Sequence, residues 1–166
     1  MDVVLRAGGP QDHEHVKWAL YEAIAWNPER RIPPFEVALQ HPQLVIYHRD
    51  WGRRGDLAVI AEADGDVVGV AACRLYTDEE HGHGYVDART PEIAIAVAER
   101  FRGRGIGTRL LDALARTAET AGFERLSLSV DSANPARALY ERCGYRELSV
   151  DDRGVRMVKD LGSRLD

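Results

Sequence analysis

Apolar residues repeat along this chain with two periods, and the points where one gives way to the other divide it into elements. After the Gly8-Gly9-Pro10 break, Val16, Ala19, Leu20, Ala23 and Ile24 recur at the three-and-four spacing of one helical face. Asp12 stands where an N-cap belongs and Asn27-Pro28 closes the pattern, so a helix is predicted between them. A second, short helix is predicted from Pro34 to Gln40, and Trp26 to Pro33 is a loop with no clear period. Leu57 to Glu62 and Val67 to Tyr76 favour strands, paired antiparallel through the tight-turn signal Asp64-Gly65. A shorter apolar run, Val3 to Leu5, precedes the first helix. Thr77 to Thr90 is polar, aperiodic and rich in glycine and histidine, a long loop of the kind that often carries function. Pro91 to Ala98 is nearly all apolar, which predicts a central strand covered on both faces.

Beyond it, Ile106, Leu110, Leu111, Leu114, Ala115 and Ala118 form one face of a helix that ends at Gly122. Leu126 to Val130 is a strand in which apolar residues alternate with Ser127 and Ser129. Asn134-Pro135 reads as an N-cap followed by proline at the first helical position, and Gly144 as the stop of a short helix from Pro135 to Cys143. A last strand is predicted from Val155 to Leu161. The unit from Pro91 to Cys143 implies a parallel strand pair joined by a right-handed crossover. The pattern is α/β without internal repeats, and 166 residues with 45% hydrophobic content suit one domain spanning 1–166.

Charge narrows the partners. Charged residues make up 30% of the chain, mixed in sign, with a net charge of -5, so nucleic acid is not expected. The chain has neither a leader-like start nor a run long enough to cross a bilayer, so no membrane association is expected and the location is expected to be cytoplasmic. Cys73 and Cys143 are read as free thiols. His81 and His83 sit near Asp78, Glu79 and Glu80, but no second ligand set has suitable spacing, so no metal is expected. His13 and His15 are two apart, share no helical face, and are read as surface residues.

Arg102-Gly103-Arg104-Gly105-Ile106-Gly107-Thr108 joins the central strand to the long helix, where main-chain N–H groups and the helix dipole converge on a bound phosphate. Glycines supply the positive backbone angles such a nest needs. Arg100, Arg102, Arg104 and Arg109 reverse the local charge of an acidic protein, and guanidinium groups match phosphate geometry. A P-loop would need lysine before Thr108, and a dinucleotide fingerprint would space its last two glycines three apart, whereas Gly105 and Gly107 are two apart.

These residues resemble the GCN5-related N-acetyltransferases (GNAT). That family's Arg/Gln-x-x-Gly-x-Gly/Ala hallmark is matched by Arg102, Gly105 and Gly107, Pro91 to Ala98 looks like its fourth strand, and Ser129-Val130 through Asn134, Leu139-Tyr140 and Cys143-Gly144-Tyr145 looks like its second motif. The resemblance implies a mixed, mostly antiparallel sheet with a splayed parallel pair of strands, flanked by about four helices. It implies acetyl-CoA as co-substrate, with the backbone of Arg102, Gly103, Arg104, Gly105, Ile106, Gly107 and Thr108 on the pyrophosphate. Val97 and Ala98 would pair with the pantetheine arm as an added strand would, and Asn134 would contact the same arm.

Acyl transfer to an amine needs an unprotonated amine, support for the carbonyl oxygen's negative charge and a proton for the departing thiolate. An amine with pKa near ~10.4 must lose a proton first, and Glu92 is the candidate base, the alternative being a solvated or arginine-paired carboxylate at a strand end. The Val97 N–H is the candidate oxyanion donor. Tyr140 matches the family's proton donor to sulfur, with a phenol pKa near ~10. Trp18, Tyr21 and Trp26 are either core or the lining of an acceptor pocket. Acidic residues in Thr77 to Thr90 and at Glu22 and Glu29 suggest a cationic amine. Two other readings stay open: a non-catalytic acyl-CoA-binding module, and a dinucleotide-binding protein. A small-molecule or peptide amine is expected as acceptor, with small molecule, peptide N-terminus and lysine side chain all open, and oligomeric state is open, a homodimer included.

Overall fold

The computed structural model describes residues 2–162. Among these residues seven strands form one sheet in the order β1-β2-β3-β4-β5-β7-β6: β1 Val3–Ala7, β2 Leu57–Ala63, β3 Asp66–Arg74, β4 Glu92–Val97, β5 Arg125–Val130, β6 Arg146–Asp151 and β7 Gly154–Asp160. Every neighbouring pair is antiparallel except β4 and β5. Five α-helices accompany them: α1 His13–Ile24, α2 Phe35–Ala38, α3 Pro42–Val45, α4 Ile106–Thr120 and α5 Ala136–Arg142. The β2–β3 turn has positive φ at both Asp64 (51°) and Gly65 (83°), the geometry of a primed hairpin turn.

Alternation along the strands divides the core in two. Val59, Ala61, Ala71 and Ile93 face α4 and pack on Leu110, Leu111 and Leu114, while Ala58, Ile60, Val70, Ala72 and Ala96 face α1 and pack on Val16, Ala19 and Leu20. The central strand β4 is thus covered on both faces.

Several elements differ from the sequence expectation. The helix predicted from Pro34 to Gln40 is shorter and is followed by α3. Strand β6 escapes the hydrophobic pattern because all six of its residues are exposed on the sheet edge. Ala23, placed on the buried face of α1, is exposed. Asp12 does not cap α1; its buried carboxylate takes Arg6 (2.9 Å) and the Gly9 N–H (2.9 Å), and the Arg6 guanidinium holds it below the usual carboxylate range. His13 is no simple surface residue either, since its Nε2 lies 3.1 Å from Nδ1 of the buried His48, which is bound to Leu39 O through its other nitrogen.

A buried ion pair ties the α3 segment to the sheet. Arg74 and Asp56 meet at 2.8 Å with almost no exposure, and Arg74 also donates to the carbonyls of Ile46 (3.0 Å) and Arg49 (2.8 Å). A buried pair needs its remaining donors satisfied, and these carbonyls satisfy them while fixing residues 46–49 beside β3. Tyr47 is thereby held over the sheet.

Candidate active site

The site begins where β4 and β5 part. The Ala98 N–H donates to Val68 O at 2.8 Å, so by antiparallel alternation the main-chain groups of Ala98, Ala96 and Ala94 point to β3 and those of Val97 and Ile95 point away, toward β5. Yet β5 is in register with β4 only at Glu92 and Ser127, next to the bond from Ser127 N–H to Pro91 O at 3.0 Å. A wedge therefore opens from Glu92 to Val97, over five residues or roughly 17 Å of strand. Its β4 edge carries ladder groups that β5 does not reach.

At the wide end the chain turns into α4. Gly103 (φ 75°) and Gly105 (φ 79°) are left-handed, and a Cβ at either would meet nothing within 4 Å, so the glycines serve backbone angle and open space. The first intrahelical bond is Arg109 N–H to Gly105 O, which leaves the N–H groups of Ile106, Gly107 and Thr108 without helical partners at the positive end of a 15-residue helix. The guanidinium carbons of Arg100 and Arg104 lie 5.0 and 5.2 Å from the ring of the buried Phe101 and hold cations at the loop. The loop fits a diphosphate, and the free edge of β4 fits an extended amide-bearing arm. Gly107 has a different reason: its Cβ would come within 3.1 Å of Leu139, so glycine lets α5 sit close.

The groups expected along the arm differ in what they have free. Val97 O accepts from Arg102 Nε at 3.0 Å, and the Val97 N–H points into the wedge. Ala98 has both main-chain groups engaged, the N–H with Val68 and the carbonyl with the Phe101 N–H at 2.8 Å; it turns to β3 and not to the wedge. Asn134 Oδ1 accepts the Ala136 N–H at 2.9 Å at the start of α5, leaving its amide nitrogen for other contacts. Tyr140, on α5, stacks edge-on with Tyr145 at 6.0 Å, and burial pushes its phenol up to about 12.

Glu92 closes the narrow end. It is 8% exposed, and its Oε1 has no hydrogen-bond partner. Burial raises the carboxyl to about 7, against the opposing effects of the Tyr47 hydroxyl, the Arg156 charge and the Gly84 N–H. The alternative of a solvated carboxylate at a strand end does not hold. The site thus sets a carboxyl raised toward neutrality by burial at the closed end of a wedge whose open end suits a diphosphate.

A family model described as "Acetyltransferase (GNAT) family" matches residues 17–145. The chain belongs to the GNAT acetyltransferase family. Solved structures agree on the fold. The PaiA N-acetyltransferase of Thermoplasma acidophilum, solved with coenzyme A, superposes with a TM-score of 0.70 at 17% identity over 96% of this chain and 99% of that one. YncA of Salmonella typhimurium, a putative acetyltransferase solved with acetyl-CoA, gives 0.67 at 17% identity over 100% and 98%. The IAA acetyltransferase of Bacillus cereus ATCC 14579 gives 0.62 at 23% identity over 96% and 100%.

Around Glu92 this GNAT chain gathers residues that the sequence reading left out. The Tyr47 and Tyr76 rings meet edge-to-face at 5.4 Å beside the carboxyl, and burial pushes both phenols well above their ordinary range. Gly84 is packed so close that a Cβ would lie 2.6 Å from Glu92 Cδ, and its carbonyl accepts the buried Ser127 hydroxyl at 2.7 Å. Three of the four acidic residues of the 77–90 loop are engaged elsewhere: Glu80 with Arg49, Asp87 with Arg125, and Asp78 with the Tyr85 hydroxyl. His81 stacks on Tyr85 and His83 takes a guanidinium N–H from Arg153. Trp18 and Tyr21 pack on the α1-side core. Among the described residues, no group of three or more His, Cys, Asp or Glu could hold a metal ion, and no helix is long and apolar enough to cross a membrane.

Proposed function

We propose that this protein transfers the acetyl group of acetyl-CoA to a primary amine by direct attack within a ternary complex. The observation that carries the proposal is the wedge itself, which runs from a left-handed glycine nest to a buried carboxyl with an unpartnered oxygen. The pyrophosphate lies on the N–H groups of the 102–108 loop, and the arm adds to the free edge of β4 at Val97. The thioester then lies in the wedge between Val97 and Glu92.

There the amine loses a proton to Glu92, directly or through water, and its nitrogen attacks the thioester carbonyl carbon. The Val97 N–H is the proposed donor to the developing oxyanion, a fixed group that needs no reorganisation. The carbon–sulfur bond breaks, and the thiolate, conjugate to a thiol of pKa near ~8.5, takes a proton for which Tyr140 is the proposed source. The products are the acetamide and free coenzyme A.

The test is to follow coenzyme A thiol release and acetylated product across pH with a panel of primary amines. A Glu92 base predicts that kcat/KM climbs with pH through about 7 and flattens above it. In Glu92→Gln that limb should vanish along with most of the rate. Acetyl-CoA binding without turnover of any amine would sink the enzyme reading and leave a binding module.

A further inference from the structure

The Glu92 carboxyl does not stand alone on its face of the sheet. Glu92 is in register with Ser127, Ser129 is the next β5 residue on the same face, and Ser129 is in register with Arg156 of β7. Arg156 is half-buried, donates through Nε to His83 O at 3.1 Å, and is close enough for its charge to favour the ionised form of Glu92. Arg153, at the β6–β7 turn, donates to His83 Nδ1 at 3.0 Å, so the His83 loop carries two guanidinium groups on one side of the buried carboxyl. Among the described residues neither arginine makes an ion pair. The nearby carboxylate of Asp151 accepts the Arg153 main-chain N–H, and burial together with the two arginines holds the His83 imidazole below its ordinary pKa, toward its neutral form.

A half-buried guanidinium with its terminal nitrogens unspent is an anion-binding group, and its planar fork suits a carboxylate. Resting on the acetyltransferase reading above, we infer that the acceptor is an amino acid, its amine at Glu92 and its carboxylate on Arg156, with Arg153 reinforcing the positive rim. The charge pattern of the site, carboxyl beside guanidinium, is the mirror of an amine beside a carboxylate. A lysine side chain in a protein and a peptide N-terminus lack a free carboxylate next to the reacting amine, and a plain cationic amine would face Arg156 as a like charge. Arg156 is thus a specificity-determining residue, and the chemistry of transfer is the same as for any amine.

The experiment supplies the twenty L-amino acids, each with its amide and its decarboxylated amine, at saturating acetyl-CoA, reading thiol release. The expected result is that at least one amino acid is turned over with kcat/KM about 100-fold above its amide and its amine. Arg156→Gln, which keeps a donor for His83 O while removing the charge, should raise KM for that amino acid about 100-fold with kcat within a few-fold and KM for acetyl-CoA unchanged. Arg153→Gln should raise it about threefold, as a rim charge does. Amides or amines turned over as well as the acids, or a loss in Arg156→Gln that is equal for acid and amine, would overturn the inference while leaving the acetyltransferase reading standing. No turnover of any of these compounds would overturn the inference alone; the acetyltransferase reading falls only if the wider amine panel fails as well.

Discussion

At its C-terminal end β4 offers a ligand main-chain groups and glycines from consecutive residues, Val97 to Thr108, whereas at its N-terminal end it offers one carboxyl whose surroundings come from the segment after α3, the 75–91 connection, β5 and β7. The first end is open and depends on backbone angle: Gly103 and Gly105 are left-handed with empty space around them. The second is closed and depends on packing, for Gly84 presses on Glu92 and the Tyr47 and Tyr76 rings pack beside it. Under the proposed function, binding and chemistry are thus built by different physical means on one six-residue strand. They should fail separately.

The sharpest way to separate them is Gly105→Glu. A side chain at φ 79° costs about 1–2 kcal/mol of backbone strain, and its carboxylate would stand where a phosphate is expected. Calorimetry should find acetyl-CoA affinity at least about 100-fold lower, with the protein still folded. Undiminished affinity would remove the glycine nest from the coenzyme site.

Glu92→Gln should do the opposite, lowering kcat by about 100- to 10,000-fold with acetyl-CoA affinity intact. It also has a stability signature. A carboxyl raised from its ordinary value to about 7 in the folded protein holds its proton where the unfolded chain has lost it, so its contribution to stability is lost as pH rises from about 4.5 through 7. Above that window Glu92→Gln should be more stable than the parent by on the order of 2–3 kcal/mol, and below pH 4 the two should melt together. Equal stability at pH 8 would mean that the carboxyl is not held in a low-dielectric site. Gly84→Ala is a milder probe of the same packing. Its Cβ falls 2.6 Å from Glu92 Cδ, so it should displace the carboxyl and lower kcat about tenfold without touching acetyl-CoA affinity.

The same contrast explains what could be seen in the sequence. The glycine loop is a run of neighbours, and a backbone requirement written in glycine is legible residue by residue; so are the Asp64-Gly65 turn and the period-matched α4. Glu92 is visible as a lone acid in an apolar strand, but Tyr47, Gly84 and Arg156 lie 45 residues before, 8 before and 64 after it, and nothing local marks them as its neighbours. Strand β6 was invisible because an exposed edge strand has no apolar alternation to betray it. Asp12 and His13 are hard to read for a related reason: polar residues near a helix start suit capping or solvent, and only the fold brings up Arg6 and His48 as their partners.

Tyr140 tests the comparison from between the two ends, and an effect no larger than that of Gly84→Ala is expected there. A phenol of pKa near ~10 would give its proton to a thiolate with a modest uphill step. Burial against Tyr145 pushes Tyr140 up to about 12, which keeps it protonated across the working range but widens the gap to a thiol near ~8.5. A weaker acid contributes less to the transition state, and water entering the wide end of the wedge can substitute for it. Tyr140→Phe should therefore lower kcat about tenfold, leave acetyl-CoA affinity unchanged and keep the rise of kcat/KM through pH 7, because that limb belongs to Glu92. Acceptors whose amines attack fast enough to make thiolate departure limiting should show the larger loss. If Tyr140→Phe instead removed the pH limb, the phenol and the carboxyl would be acting as one coupled unit and the two ends of β4 would not be separable.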